Sequence, residues 1–198
     1  MASERQTPRP SGEIVQFATA DAFADWLELH HATHPGIWLT LAKKKAEAVT
    51  LTYAEALDVA LCFGWIDGQK ARLDEQHWRQ RFTRRSPRSR WSQINREKAE
   101  ALIAADRMRP AGHAEVERAR ADGRWDAAYA GQRTATVPED LQRELDRDPQ
   151  AAAAFDALDG ANRYAIIYRV NDAKRPETRA RRIGTFLEML RRGERIHN

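Results

Sequence analysis

The segment that most constrains the fold covers residues 61–95, where a helical pattern meets a glycine and a strand pattern follows at once. Residues 63–68 read Phe-Gly-Trp-Ile-Asp-Gly, so a tryptophan and a carboxylate lie between two glycines that permit tight backbone turns. Gly64 is a natural left-handed end for the preceding helix. We therefore predict a helix that ends at Gly64 and a short strand over residues 65–67, closed by Gly68.

Residues 77–83 alternate in the manner of a strand with two different faces. One face carries Trp78, Gln80 and Phe82, and the other carries His77, Arg79, Arg81 and Thr83. A basic turn with interspersed serine and proline follows, over residues 84–90. This pattern predicts a half-buried strand with arginines on one side, leading into an exposed loop.

The rest of the chain predicts an α+β fold. Strand patterns over residues 13–17 and 37–42 flank a helix at 21–31, and Thr52 with Glu55 forms a capping box for the next helix. Helical patterns then cover 92–106, 111–122, 139–147, 149–158 and 162–192, the last interrupted by Pro176. We expect a small, mainly antiparallel sheet in the order β-α-β-α-β-β with helices packed on one face, plus a C-terminal all-helical module.

The predicted domains are a disordered tail at residues 1–12, an α+β core at 13–130, a linker at 131–138 and a helical module at 139–198. No apolar run approaches the roughly 20 residues that span a bilayer, and the first dozen residues lack the apolar core of a signal peptide. The one cysteine, Cys62, excludes an internal disulfide and fits a reducing compartment. We expect a cytoplasmic protein.

The positive charge is unevenly distributed. The formal net charge is +4, but residues 69–90 and residues 163–198 each carry a net +6, so the remainder carries −8. Two positive segments on an acidic body favour an anionic partner, although exposed arginines that only contact solvent would give the same pattern.

Candidate ligand-binding residues come from both positive segments. Arginine forks bind phosphates and carboxylates through paired hydrogen bonds and stack on aromatic rings. The candidates are Trp65, Asp67, Lys70, Arg79, Arg81, Arg84, Arg85, Arg88, Arg90 and Trp91 in the first segment, and Arg175, Arg179 and Arg182 in the second.

The sequence contains no phosphate-binding glycine loop, dinucleotide fingerprint or serine-hydrolase elbow, and we predict no cofactor and no catalytic residue set. Asp67 could act as a general base in a dry pocket, but an aspartate before glycine more often builds a turn. His30, His31 and His34 share helical spacing without a supporting carboxylate or cysteine, so we predict no metal site. Cys62 is expected in the core.

Six stretches resemble a known family, the YdeI/OmpD-associated or bacteriocin-protection proteins. They are YAEALDVALCFGWIDGQK at residues 53–70, QRFT at 80–83, SRWSQIN at 89–95, MRPAG at 108–112, DGRWDAAY at 122–129 and AKRPETRARRI at 173–183. Where the family commonly reads Phe-Thr-Pro-Arg, this chain reads Phe-Thr-Arg-Arg over residues 82–85.

The resemblance implies a YjbR/CyaY-like α+β fold in the first part, a link to survival of antimicrobial peptides and an association with a porin. It supplies no catalytic residues.

Three hypotheses about the function follow. The first is a non-enzymatic protein that binds an anionic ligand or an acidic protein surface through its arginines. The second is nucleic-acid binding by the same surface, and the third is an enzyme that uses Asp67.

Overall fold

The computed structural model describes residues 12–197, so residues 1–11 of the predicted tail lie outside the described residues. The described chain divides into two compact units, each with its own hydrophobic core. The first comprises the described residues up to Trp91 together with Asn95–Ala128, and the second comprises Ser92–Ile94 and the described residues from Tyr129 onward. The predicted linker at 131–138 stays a prediction.

The described residues form four strands and eight helices. The strands are β1 Ile14–Val15, β2 Ile37–Ala42, β3 Trp65–Arg72 and β4 His77–Arg84. The helices are α1 Ala20–His30, α2 Tyr53–Cys62, α3 Gln93–Ala104, α4 Pro110–Ala121, α5 Glu139–Asp146, α6 Pro149–Asp156, α7 Gly160–Asp172 and α8 Pro176–Arg191. The predicted α+β class is confirmed.

The sheet is mixed. Its strands lie in the order β1-β2-β4-β3, with β4 antiparallel to both neighbours and β1 parallel to β2. The parallel pair qualifies the prediction of a mainly antiparallel sheet. It follows from the chain path, because α1 crosses over between β1 and β2 and returns the chain in the same direction.

One face of the sheet carries the core of the first unit. Ile37, Leu39 and Phe82 are fully buried there, and Phe23 from α1 packs against Phe82 with ring centroids 6.0 Å apart. The alternation of β4 therefore separates core residues from arginines, as predicted. Burial of such apolar side chains stabilises the fold by roughly 1.5–3 kcal/mol each.

The predicted end of β3 at Gly68 is wrong. The strand continues to Arg72 through a bulge between Asp67 and Lys70. The buried Gln80 side chain donates hydrogen bonds to the carbonyls of Gly68 and Gln69, at 2.8 and 3.2 Å. These bonds satisfy carbonyls that the bulge removes from the ladder, so the strand persists where a local turn was expected.

The helix boundaries follow local chemistry. Thr52 and Glu55 form the predicted capping box at the start of α2, and Gly64 beyond its end has φ +71°. Pro176 is the first residue of α8, where its missing N–H costs nothing, so the predicted restart of the last helix is confirmed.

The second unit packs α5–α8 around Leu141, Phe155, Ile166 and Leu190. It is mainly helical but not wholly so, because Ser92 forms an isolated parallel bridge with Tyr129. Within residues 12–197, none of the helices combines the length and hydrophobicity of a membrane-spanning segment.

Candidate functional site

The sheet face opposite the core carries two arginines beside a buried tryptophan. Cross-strand register pairs Trp38 with Arg81, Thr40 with Arg79 and Ala42 with His77, and directly paired residues share a face. We call the surface formed by Trp38, Thr40, His77, Arg79 and Arg81 the arginine face.

Two arginines flank one indole on this face. The guanidinium carbons of Arg79 and Arg81 lie 5.3 and 5.9 Å from the ring centroid of Trp38, within cation–π range. Trp38 is only 2% exposed, whereas both arginines are partly exposed. The indole ring of Trp38 therefore contacts both guanidinium groups and restricts their positions.

The arginine face holds polar nitrogens that lack partners. Trp38 Nε1, Arg79 Nε, Arg81 Nη1 and His77 Nε2 are all buried, and none has a hydrogen-bond partner among the described residues. The first three are obligate donors, and His77 Nε2 becomes a donor when the ring is protonated. Buried polar groups in proteins are almost always hydrogen-bonded, so several orphaned donors on one sheet face require an explanation.

The two arginines also lack counterions. No carboxylate of the described residues lies within 4.0 Å of Arg79 or Arg81, as an ion pair would require. Burial lowers the pKa of the Arg81 guanidinium from its ordinary value, because desolvation disfavours the charged form. An added Cβ at Gly36 would lie 3.2 Å from Arg81 Nη2, so the backbone closely approaches this guanidinium.

His77 is held at the end of the arginine face by a turn. Its Nδ1 lies 3.0 Å from Asp74 Oδ1, and that oxygen also accepts from the backbone amides of Gln76 and His77, each at 2.7 Å. Although burial favours the neutral acid, these hydrogen bonds lower the pKa of Asp74. The carboxylate thereby fixes the orientation of the imidazole.

The two tryptophans among the predicted site residues lie in the core instead. Trp65 is fully buried, donates from Nε1 to the carbonyl of His31 at 3.0 Å, and packs edge-on against Trp26. Trp91 is 2% exposed and packs edge-on against Trp125, with centroids 4.8 Å apart. Both rings belong to the hydrophobic core of the first unit.

Arg85 is also a core residue. It is 3% exposed, and its guanidinium carbon lies 3.6 Å from the centroid of Trp91. Its Nη1 donates to the carbonyl of Arg90, and its backbone N–H donates to the carbonyl of Gly64, at 3.2 and 3.0 Å. This arginine therefore fastens the 85–90 loop to the end of α2.

The neighbouring arginines are more exposed. Arg84 donates to the carbonyl of Ala32 at 2.6 Å, Arg88 is exposed in the loop, and Arg90 is partly buried. The candidate arginines of residues 79–90 therefore do not share one surface. Arg79 and Arg81 lie on the arginine face, while Arg84 and Arg85 donate hydrogen bonds elsewhere.

Asp67 and Lys70 lie on β3, at the margin of the core face. Asp67 is partly buried and accepts a hydrogen bond from the Tyr53 hydroxyl at 2.8 Å. Lys70 is exposed, with its ammonium 4.2 Å from the centroid of the Trp78 ring. An enzyme that uses Asp67 stays the third hypothesis.

The candidate arginines of the C-terminal segment lie in the second unit, where Arg179 and Arg182 donate hydrogen bonds to acceptors of the same unit. Arg179 forms a two-point ion pair with Asp140 at 2.5 and 2.8 Å, and donates to the carbonyl of Val170 at 2.9 Å. Arg182 donates to the carbonyl of Arg169. Both side chains cap the C-terminal carbonyls of α7, a structural role that arginine commonly takes. Arg175 is exposed before α8.

Other chemistry-bearing residues do not assemble into a site. The rings of His30 and His34 pack on Trp26, and no group of three or more histidines, cysteines or carboxylates in the described residues could hold a metal ion. Cys62 is buried, as predicted, and burial raises the pKa of its thiol.

Three members of the arginine face, Trp38, Thr40 and His77, were not among the predicted site residues. The β4 alternation placed His77 on the side of the arginines, whereas Trp38 and Thr40 were only part of a buried strand pattern. A pairing rule that places the arginines of β4 opposite alternate residues of β2 could have found Trp38 and Thr40, because cross-strand neighbours share a face.

Fold and site together define a class: an α+β sheet domain with a cationic sheet face, followed by a mainly helical unit. The chain belongs to the family described as a domain of unknown function (DUF8412), whose model matches residues 15–115, just over half of the 198 residues. A second family model, described as "Bacteriocin-protection, YdeI or OmpD-Associated", matches residues 134–193. No curated protein and no solved structure matches the chain.

The resemblance to the bacteriocin-protection family is thus supported for residues 134–193. The stretches between residues 53 and 112 that suggested the same family fall within the match to the other model. The likeness to the YjbR/CyaY-like fold stays a prediction.

Proposed function

We propose that this protein is a binding protein that recognises an anionic ligand on the arginine face. The observation that supports the proposal is the set of buried, unpartnered donors at Trp38 Nε1, Arg79 Nε and Arg81 Nη1. An unsatisfied buried donor costs about 1–3 kcal/mol, so an anion toward which the partly exposed guanidinium groups of Arg79 and Arg81 turn would recover part of that cost as affinity.

The arrangement suits anions for a second reason. A guanidinium group offers its donors in a planar fork that matches carboxylate and phosphate oxygens. The Trp38 ring below Arg79 and Arg81 limits their rotamers, so less conformational entropy is lost when a ligand binds.

The biological setting belongs to the same proposal. The match of residues 134–193 connects the second unit to bacteriocin protection and to OmpD association, in the words of the family description. We propose that anion recognition by the first unit contributes to such a role in the cytoplasm, through an acidic protein surface rather than through a cationic peptide.

Inorganic phosphate titrations at constant ionic strength test anion binding directly. We expect saturable binding, followed by tryptophan fluorescence, that weakens about tenfold or more in the double variant Arg79→Gln/Arg81→Gln. The matched control, Arg88→Gln/Arg175→Gln, removes the same charge from two exposed positions and should bind like the parent protein. Equal binding by both double variants, or no saturable binding at all, would refute the proposal.

Nucleic-acid binding by the same surface stays an alternative prediction. Single- and double-stranded oligonucleotides titrated at two salt concentrations address it, because released counterions make such binding strongly salt-dependent. The absence of binding at both concentrations removes this alternative and leaves small anions and acidic proteins as ligands.

A further inference from the structure

The second unit contains a groove between α5 and α8 that shares no residue with the arginine face. Its volume is about 460 Å³, within the range of roughly 300–1,000 Å³ that is usual for small-molecule sites. We infer that this groove binds a small aliphatic carboxylate. The hydrocarbon chain lies against α8, and the carboxylate meets the arginines of α5.

The α8 side of the groove is apolar. It is lined by Pro176, Ala180, Ile183, Gly184 and Leu187, which follow one face of the helix at spacings of three and four residues. The described residues that line the groove include no aromatic ring. An aliphatic chain buries its methylene groups against such a surface, whereas a nucleobase finds no ring on which to stack.

Gly184 keeps this side of the groove open. A Cβ at this position would have no neighbour within 4 Å, so packing does not require glycine here. Glycine is also among the least favourable residues in the interior of a helix. Folding alone therefore favours a larger residue at this position, and space for a ligand accounts for the glycine.

Ion pairs hold the two walls of the groove at both ends. Arg179 of α8 pairs with Asp140 near the start of α5, at 2.5 and 2.8 Å. Arg191, the last residue of α8, pairs with Asp148 just beyond the end of α5, at 2.6 Å. The walls are thus positioned before a ligand arrives, so less conformational entropy is lost on binding.

The α5 wall supplies the positive charge. Arg143 and Arg147 line the groove one helical turn apart, where like charges repel each other. Among the described residues no carboxylate lies within 4.0 Å of Arg143, and Arg147 pairs only with Glu144 in a solvent-exposed contact of little strength. Three arginines and two carboxylates line the groove in all, a net charge of +1 that one carboxylate neutralises.

Three small ligands test the ligand class: octanoate, butanoate and octyltrimethylammonium, titrated calorimetrically into the full-length chain at equal ionic strength. Each buried methylene group improves affinity about fourfold, so we expect octanoate to bind at least tenfold more tightly than butanoate. The trimethylammonium compound has the same chain and the opposite charge, and it should bind at least tenfold more weakly than octanoate. Equal affinity for octanoate and either of the other two ligands would overturn the inference.

The amide resonance of Gly184 in a heteronuclear NMR spectrum locates the ligand. The last of the six tryptophans is Trp125, so none belongs to the second unit and tryptophan fluorescence does not report directly on this groove. We expect octanoate to shift the Gly184 resonance. Shifts confined to residues of β2 and β4 would place octanoate on the arginine face and overturn the inference.

Four variants connect the affinity to the groove. Gly184→Leu fills the open space and should weaken octanoate binding at least tenfold, whereas Thr185→Leu adds the same side chain at an exposed position outside the groove and should bind like the parent protein. Arg143→Gln should weaken binding about fivefold, with Arg181→Gln, an exposed arginine outside the groove, as its control. Parental octanoate affinity in Arg143→Gln, or in a Gly184→Leu protein with parental circular dichroism, would overturn the inference.

The remaining outcomes concern other occupants and the arginine face. If octanoate does not bind and the chain forms a dimer that Gly184→Leu abolishes, the groove is an interface between copies and the inference is overturned. If octanoate binds as expected while inorganic phosphate does not bind, the groove assignment stands and the function proposed for the arginine face fails.

Discussion

Arginines of similar sequence context have different roles because their partners differ. Arg85 lies on the Trp91 ring and is buried, whereas Arg88, three residues further, is exposed. Arg79 and Arg81 also contact an indole, but they keep exposed edges and have no acceptor among the described residues. The charge of an arginine therefore does not by itself indicate its role, which depends on the rings and acceptors that surround its guanidinium group.

Replacing Arg85 by glutamine should reduce stability rather than ligand binding. The change removes a desolvated cation–π contact, worth about 2 kcal/mol, and the hydrogen bond to the carbonyl of Arg90. We expect the free energy of unfolding to fall by about 2–4 kcal/mol in urea denaturation. Arg88→Gln is the matched control, and we expect it to stay within about 0.5 kcal/mol of the parent protein. Similar losses in both variants would contradict a structural role for Arg85.

At the scale of elements, close contact between α2 and α4 depends on two glycines. A Cβ at Gly112 would lie 2.3 Å from both the carbonyl oxygen of Cys62 and Met108 Sδ. Gly64 has φ +71°, and a Cβ there would approach the carbonyl of Ala111 to 2.9 Å. The Arg109 amide donates to the Cys62 carbonyl at 3.1 Å, so the end of α2 and the start of α4 meet backbone to backbone.

Two glycine-to-alanine changes within helices should therefore have opposite signs. Gly112→Ala inserts a methyl group where backbone atoms already lie, and we expect a loss of about 1–3 kcal/mol or more. Gly184→Ala in α8 meets nothing within 4 Å and should stabilise the protein by about 1 kcal/mol through helix propensity. Thermal unfolding monitored by circular dichroism measures both. The same sign of shift for both variants would contradict the packing argument.

Local sequence patterns predicted where helices and strands lie better than they predicted which residues of different strands contact each other. The capping box of Thr52 and Glu55 and the restart at Pro176 depend on neighbours in sequence, and both were predictable. The bulge in β3 depends on Gln80 from another strand, so a glycine pattern suggested a turn instead. For the same reason the alternation placed Arg79 and Arg81 on one face but did not reveal Trp38 beneath them.

At the scale of the whole molecule, paired or capping carboxylates tie stability to pH. Hydrogen bonds from Arg179 lower the pKa of Asp140, although burial opposes the shift. Backbone hydrogen bonds from Ala151 and Asn162 likewise lower the pKa of Asp148 and Asp159, at the starts of α6 and α7. A depressed pKa in the folded state stabilises the protein above the unfolded value of about 3.9, and this contribution is lost as pH falls through the folded pKa.

Asp140→Asn tests this linkage. It should lower stability at about pH 7, and it should reduce the further loss between about pH 5 and pH 2, because no proton can then bind at this position. Urea unfolding across that range gives both quantities. Asp146→Asn removes the same charge from the same helix without touching an arginine, and its pH profile should follow the parent protein. A parental acid profile in Asp140→Asn would show that the pair with Arg179 does not govern acid stability.

The bulge in β3 also bears on how copies of this chain behave at high concentration. β3 is the last strand of the sheet, so one side of its backbone has no neighbouring strand among the described residues. Such an edge can template strand pairing between molecules and lead to aggregation. The bulge between Asp67 and Lys70 breaks the regular spacing of the edge, and the exposed Lys70 and Arg72 add like charges along it. An incoming copy of β3 would meet both mismatched hydrogen-bonding groups and repulsion, which disfavours edge-to-edge assembly of this sheet.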